Sequence, residues 1–193
     1  MANLSDFLPA AAAGGGGGIP KYEEFTSSGT FTPTQALIDA GGRISLFIVG
    51  AGQSGSSATA EGIGGGGGEV KFAYTTLTST NPITVTIGAS SGGSTTFAGS
   101  SGGGDDIVAL GGVGVVNSND RGSRYDNRLG SGFGASHYTN QVTSAGTGFM
   151  GYGAGGSTRS AGGIRIPAAN SGQGGGYNGQ AGGSGFLRVT WFE

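Results

Sequence analysis

A chain of 193 residues with a net charge of −2 and 10% charged residues has the length of one domain with an arm, and too little charge for broad capture of nucleic acid or anionic membrane. Its 47 glycines far exceed the usual share of about 7%. Yet 5 prolines and unbroken runs such as Gly14–Gly18 and Gly64–Gly68 exclude collagen, and the absence of cysteine excludes disulfides, thiolate zinc sites and thiol catalysis.

Leu, Ile, Val and Phe make up just under a fifth of the chain, close to the ~20% level at which disorder sets in, but that rule also requires high net charge. The apolar residues are instead gathered into patterned runs, which predicts a small real core. Residues 1–20 form a separate block: Leu4, Phe7 and Leu8, then an Ala-Gly tract, then Ile19-Pro20. The block lacks the basic region of a secretory signal, and no run approaches a membrane span. It reads as an anchoring arm, with Leu4, Phe7 and Leu8 as its apolar plug, ahead of a glycine-rich β domain over residues 21–193.

From Tyr22 the pattern is β. Arg43–Val49 is apolar on both faces, as in a strand buried between two layers. Before it, Gln35–Asp39 has room for one helical turn. Glu69–Tyr74 alternates, with Val70, Phe72 and Tyr74 on one side and Glu69 and Lys71 on the other, so one face meets solvent. After the Asn81-Pro82 turn, Ile83–Ile87 alternates again until Gly88 stops it. Phe186–Phe192 repeats the device at the other end of the chain. Strands mainly within 22–89 and 185–193, on either side of a glycine-rich loop region over 90–184, imply that the chain returns to close its sheet. The expected fold is an all-β, small jelly-roll-like sandwich.

The glycine segments admit two states. Ordering a glycine costs roughly 0.5–1 kcal/mol more than ordering alanine, so the segments either stay disordered or repay that cost through hydrogen bonds of about 1 kcal/mol net each. The second route stacks them as extended polyglycine II strands with three residues per turn. Their backbone groups point outward on all sides, and any Cβ would hold neighbouring backbones apart.

Few motifs carry chemistry. Gly50-Ala51-Gly52-Gln53-Ser54-Gly55 is a literal GxGxxG after a strand, but the Ser-Ser-Ala-Thr-Ala-Glu-Gly that follows cannot sustain the helix a dinucleotide phosphate needs. Gly64–Gly68 lacks the Lys-Ser or Lys-Thr of a phosphate loop. His137 is the only histidine, so nucleophilic hydrolysis is not expected. Adjacent Asp105 and Asp106 point to opposite faces if extended, a poor acid–base couple; they are a solvated turn or, alternatively, calcium ligands. No enzyme activity, cofactor or resident metal is expected.

The series Gly29-Thr30-Phe31-Thr32-Pro33, Ile44–Val49 running into Gly50-Ala51-Gly52, Gly64–Gly68 with Glu69-Val70, Ile83–Gly88, Ser94–Phe97 and a closing Phe186–Trp191 resembles the glycine-rich domain of tailed-bacteriophage tail-fibre and virion proteins. It is similar to polyglycine-sandwich fibre-tip adhesins, over roughly residues 25–193, and departs from them in its N-terminal arm and irregular glycine runs. The resemblance implies a virion protein that attaches the particle to the host surface, with the glycine strands presenting variable loops. It also implies partners: other phage structural proteins through the arm, and a bacterial surface glycan or outer-membrane protein as receptor; the chain is then a homotrimer as a fibre or a monomer on a trimeric stalk as an adhesin. Low charge and the lack of a membrane-length apolar run predict neither nucleic acid binding nor membrane insertion. The alternative it leaves open is a head fibre or capsid decoration of purely structural role. The polar, aromatic interruptions over 117–152 are the candidate receptor face, through Asn119, Arg121, Arg124, Tyr125, Arg128, His137, Tyr138 and Tyr152, whose rings and amides suit recognition as well as they suit packing over glycine strands.

Overall fold

Each strand expected from residue alternation forms. The computed structural model describes residues 18–55, 64–99, 105–112, 137–138, 141–142, 152–153, 167–176 and 179–193. Strands β1 (Pro20–Phe25), β2 (Gly29–Phe31), β3 (Arg43–Val49), β4 (Val70–Thr76), β5 (Ile83–Thr86), β6 (Thr95–Phe97), β7 (Ile107–Ala109), β8 (His137–Tyr138), β9 (Gln141–Val142) and β10 (Phe186–Phe192) are joined by one short helix, α1 (Gln35–Asp39). Two four-stranded antiparallel sheets, ordered β1-β10-β3-β4 and β2-β5-β6-β7, form an all-β sandwich, and β8 pairs with β9 separately. Pro20–Phe25 pairs with Leu187–Phe192, and Phe186–Trp191 pairs with Ile44–Val49, so the returning strand lies between β1 and β3. Strands β6, β7, β8 and β9 fall in the region read from sequence as loop; two or three residues each are too few to register as alternation.

The core lies between the sheets. Ile44, Leu46 and Ile48 of β3 and Leu187 and Val189 of β10 point inward against Phe31, Ile83, Val85, Phe97 and Ala109, with Leu37 of α1 and Leu77 closing one end. Phe31 is its centre, tilted against Phe97 at 6.0 Å and meeting the edge of Trp191 at 5.4 Å. Burying such side chains stabilises by roughly 1.5–3 kcal/mol each. Thr34 caps α1, its hydroxyl accepting from the Leu37 N–H at 3.1 Å. The helix then ends through Gly42, at φ +66°, whose N–H donates to the Leu37 carbonyl at 2.8 Å. A Cβ on Gly42 would also run into the Leu77 carbonyl.

Beyond Val49 the chain leaves the sheet and enters a glycine lattice. Gly50 and Gln53 donate to the carbonyls of Glu69 and Gly66, Ala51 to Gly93, and Gly52 and Gly55 to Gly183 and Gln180, all at 2.8–2.9 Å. The direction of the N–H groups therefore repeats every three residues, as in polyglycine II. The carbonyls of Ala51, Gly52 and Gln53 accept from Gly112 (2.7 Å), Gly92 (3.1 Å) and Gly175 (2.8 Å). Segment 50–55 is thus bonded to five neighbours: 64–69, 88–93, 110–112, 172–176 and 180–185. A Cβ on Gly50, Gly52, Gly55, Gly65 or Gly68 would overlap a backbone carbonyl, those of Leu110, Gln173, Gly176, Gln53 and Gly50 respectively. Of the two states the sequence admits, these segments take the laterally bonded one.

The opposite end of the first sheet is fastened by Glu193. Its carboxylate accepts from the Thr34 hydroxyl and, at 3.0 Å, from the Trp191 indole N–H, and it lies 3.9 Å from Lys21 Nζ. Its backbone pairs with Ile19 in both directions, so Gly18–Pro20 joins the sheet. The Thr34 bond first, then the Trp191 bond, hold the Glu193 carboxyl below its ordinary range.

Two predictions follow from this packing. Gly52→Ala should destabilise by about 2–3 kcal/mol, as overpacking against backbone does, whereas Gly29→Ala on β2, where a Cβ reaches only ordinary contact with Phe25, should stay within about 1 kcal/mol of wild type. Thermal denaturation followed through Trp191 fluorescence reads both. Because the folded pKa of Glu193 is depressed, its contribution is present above the unfolded value of about 4.3 and is lost as pH falls through the folded value. Wild-type melting temperature should therefore fall more steeply than that of Glu193→Gln on acidification below about pH 4.3; parallel acid limbs would contradict the assignment.

Candidate functional site: the aromatic outer face of the first sheet

Alternation gives the sheet β1-β10-β3-β4 an outer face arranged in rows by its register. At the lattice end, Phe186, Val49 and Val70 stand side by side and are buried. The next row is Glu24, Arg188, Phe47 and Phe72, and the row after it is Tyr22, Thr190, Ser45 and Tyr74. Tyr22, Phe72 and Tyr74 are 69%, 49% and 80% exposed. Strand spacing of about 4.8 Å sets Tyr22 and Tyr74 about 14 Å apart across the hydroxyls of Thr190 and Ser45.

The sequence left open which side of β4 meets solvent, and the structure decides it. Alternation over 70–74 is as read, and solvent lies on the side of Phe72 and Tyr74, while Lys71, Ala73 and Thr75 face the second sheet. Lys71 is tolerated there because it extends along the apolar edge and donates through Nζ to the Val108 carbonyl at 3.2 Å. Small Ala73 leaves room for the closing strands of the sandwich. The aromatic side of β4 therefore meets water at Phe72 and Tyr74.

Tyr152 lies over the row. Its ring meets the edge of Phe47 at 5.0 Å and stacks on Phe186 at 5.9 Å, and Phe47 is tilted against Phe72 at 5.0 Å. Arg188 lies 5.6 Å from the Tyr22 ring centroid and 6.0 Å from that of Phe186, and donates through Nε to Glu24 Oε1 at 2.8 Å and through Nη2 to the same oxygen. Cation–π contact on two rings and two bonds to one oxygen of Glu24 orient the guanidinium, whose side chain stays 47% exposed. Together Ser45, Phe47, Phe72, Tyr74, Tyr152, Arg188 and Thr190 line a groove of about 440 Å³.

Of the receptor candidates read from sequence, Tyr152 is placed on this groove. Asn119, Arg121, Arg124, Tyr125 and Arg128 lie outside the described residues, as do the arm residues Leu4, Phe7 and Leu8; His137 and Tyr138 are described in backbone alone, on β8. Tyr22, Phe72, Tyr74 and Arg188 were not among the candidates. The signal for them was present as the matched parity of Tyr22/Glu24, Phe186/Arg188/Thr190 and Phe72/Tyr74, which becomes one surface only when the strand order is known.

The other motifs resolve into structure. Gly50, Ala51, Gly52, Gln53 and Gly55 already donate their N–H groups to protein carbonyls, so this GxGxxG has none of those amides to offer a phosphate. Asp105 and Asp106 are exposed, and Asp106 accepts from the Gly99 N–H at 2.7 Å. No group of three or more His, Asp or Glu suited to a metal occurs among the described residues. Set against known proteins, the chain matches no family model and no curated relative, so a functional reading starts from the fold and this face.

Proposed function

We propose that this chain is a non-catalytic structural and attachment module of a tailed-bacteriophage particle, of the tail-fibre adhesin type, in which a rigid glycine-bonded sandwich presents a recognition surface to the host cell. The observation that carries the reading is the outer face of the first sheet: large aromatic side chains held at the surface around hydroxyls and an oriented guanidinium. Contiguous exposed rings of this kind mark interaction surfaces more often than they serve stability. The glycine lattice supports the same reading, because an attachment surface gains from a backbone that does not deform when a ligand seats. The N-terminal arm ahead of Gly18, with Leu4, Phe7 and Leu8, is assigned the docking to other phage structural proteins, and the virion is the proposed location.

The test is saturable binding of fluorescently labelled chain to intact bacteria over a panel of strains. The reading predicts saturable labelling of some strains and none of others, competed by excess unlabelled chain. Absence of saturable labelling on every strain sinks the attachment role and moves the chain to capsid decoration.

A further inference from the structure

We infer that the groove on the outer face of the first sheet binds a neutral, hydroxyl-rich ligand: a short oligosaccharide of hexose or N-acetylhexosamine rings. The inference rests on the attachment reading and gives it a receptor chemistry and a site. Flat apolar plates set beside hydroxyls and a guanidinium match a pyranose, whose ring presents C–H groups to a face and hydroxyls around its rim. Tyr74 and Phe72 supply exposed plates at one side, Tyr152 supplies a wall, and Ser45 and Thr190 supply the polar floor. Arg188 adds donors oriented by Glu24, which takes two of the five that a guanidinium carries.

Charge and size narrow the choice of occupant. Glu24 offsets Arg188, so a phosphate or an acidic peptide meets a cation already paired. An apolar segment would cover the Thr190 hydroxyl without offering it a partner, whereas the Ser45 hydroxyl already donates to the Thr190 carbonyl at 3.4 Å and keeps acceptor capacity for a ligand. A volume of 440 Å³ lies within the roughly 300–1,000 Å³ of small-ligand sites. A second protein copy would need about 800 Å² of matching surface on each partner. Tyr22 lies outside the groove, about 14 Å from Tyr74 by three strand spacings, so a short chain of rings running past Arg188 reaches it where a single sugar does not.

The experiment presents the full chain to immobilised neutral oligosaccharides of hexose and N-acetylhexosamine, then measures the best binder by titration calorimetry. Binding should weaken at least about tenfold in Tyr74→Ala, a change at a side chain exposed enough to leave the core intact, and also in Arg188→Lys, which keeps the charge but loses the planar fork. Thr84→Ala, on the exposed face of the second sheet, should bind as wild type, and Trp191 fluorescence should certify the fold of each variant. No binding by wild type across the panel, or binding indifferent to Tyr74→Ala, overturns the inference. So does a dimer in sedimentation that Tyr74→Ala dissolves, which hands the face to a second copy. Tyr74 ring signals that shift when Leu4, Phe7 and Leu8 are replaced by serine also overturn it, since they hand the face to the chain's own arm. Cell labelling that persists with a silent panel overturns this inference alone; loss of both removes the attachment role with it.

Discussion

The structure depends on the absence of a side chain at the positions where one backbone meets several others. In an ordinary sandwich each strand bonds to two neighbours in its own sheet, and side chains hold the sheets about 10 Å apart. Residues 50–55 instead bond to five neighbouring segments, with the N–H direction turning through three orientations. At Gly50, Gly52 and Gly55 that geometry survives only without a Cβ, because the carbonyls of Leu110, Gln173 and Gly176 occupy the volume a side chain there would need, while Ala51 and Gln53 between them carry side chains and still bond to their neighbours. Hydrogen bonding takes over the work that apolar packing performs at the other end of the molecule.

The two halves are continuous. Segment 50–55 extends β3, 64–69 leads into β4, 110–112 leaves β7, and 180–185 enters β10. Strands separated by Ile48, Leu187 and Phe97 at one end converge at the other once those side chains give way to glycine. Buried Thr95 marks the junction, its hydroxyl accepting from the Gly88 N–H at 3.1 Å just as the strand β6 leaves the lattice. The same junction sets the outer face: Val49, Val70 and Phe186 are buried where the lattice rises against them, and the rows farther along the strands open progressively to solvent. Tyr22 and Tyr74 stand at the two edges of that open row.

Much of this order was legible as residue pattern. The two-sided apolar run Ile44–Val49 and the alternations in Val70–Tyr74, Ile83–Ile87 and Phe186–Phe192 each encode a strand, because period two is a local property. Short β6 and β7 carry too few residues to express a period and draw their definition from pairing: Thr95 with Ala109 and Phe97 with Ile107. The direction in which β4 faces depends on tertiary context. Nothing local distinguishes a strand that turns Phe72 inward from one that turns Ala73 inward, and the second occurs, with Lys71 donating to the Val108 carbonyl of the facing sheet. The candidate site was hidden for the same reason. Tyr22, Arg188 and Tyr74 are far apart in the chain and converge through the order β1-β10-β3-β4, which strand patterns do not specify.

The central claim is that the described glycine segments around residues 50–55 are a bonded part of the fold rather than linkers between its strands. Native-state amide hydrogen exchange resolved at Gly52, Gln53, Gly65 and Gly175, with Leu46 and Ile48 of β3 as internal references, tests it most directly. The account predicts that the four lattice amides exchange as slowly as those of β3 and are released in the same global opening. Exchange of the lattice amides at nearly unprotected rates while Leu46 and Ile48 stay protected would contradict it.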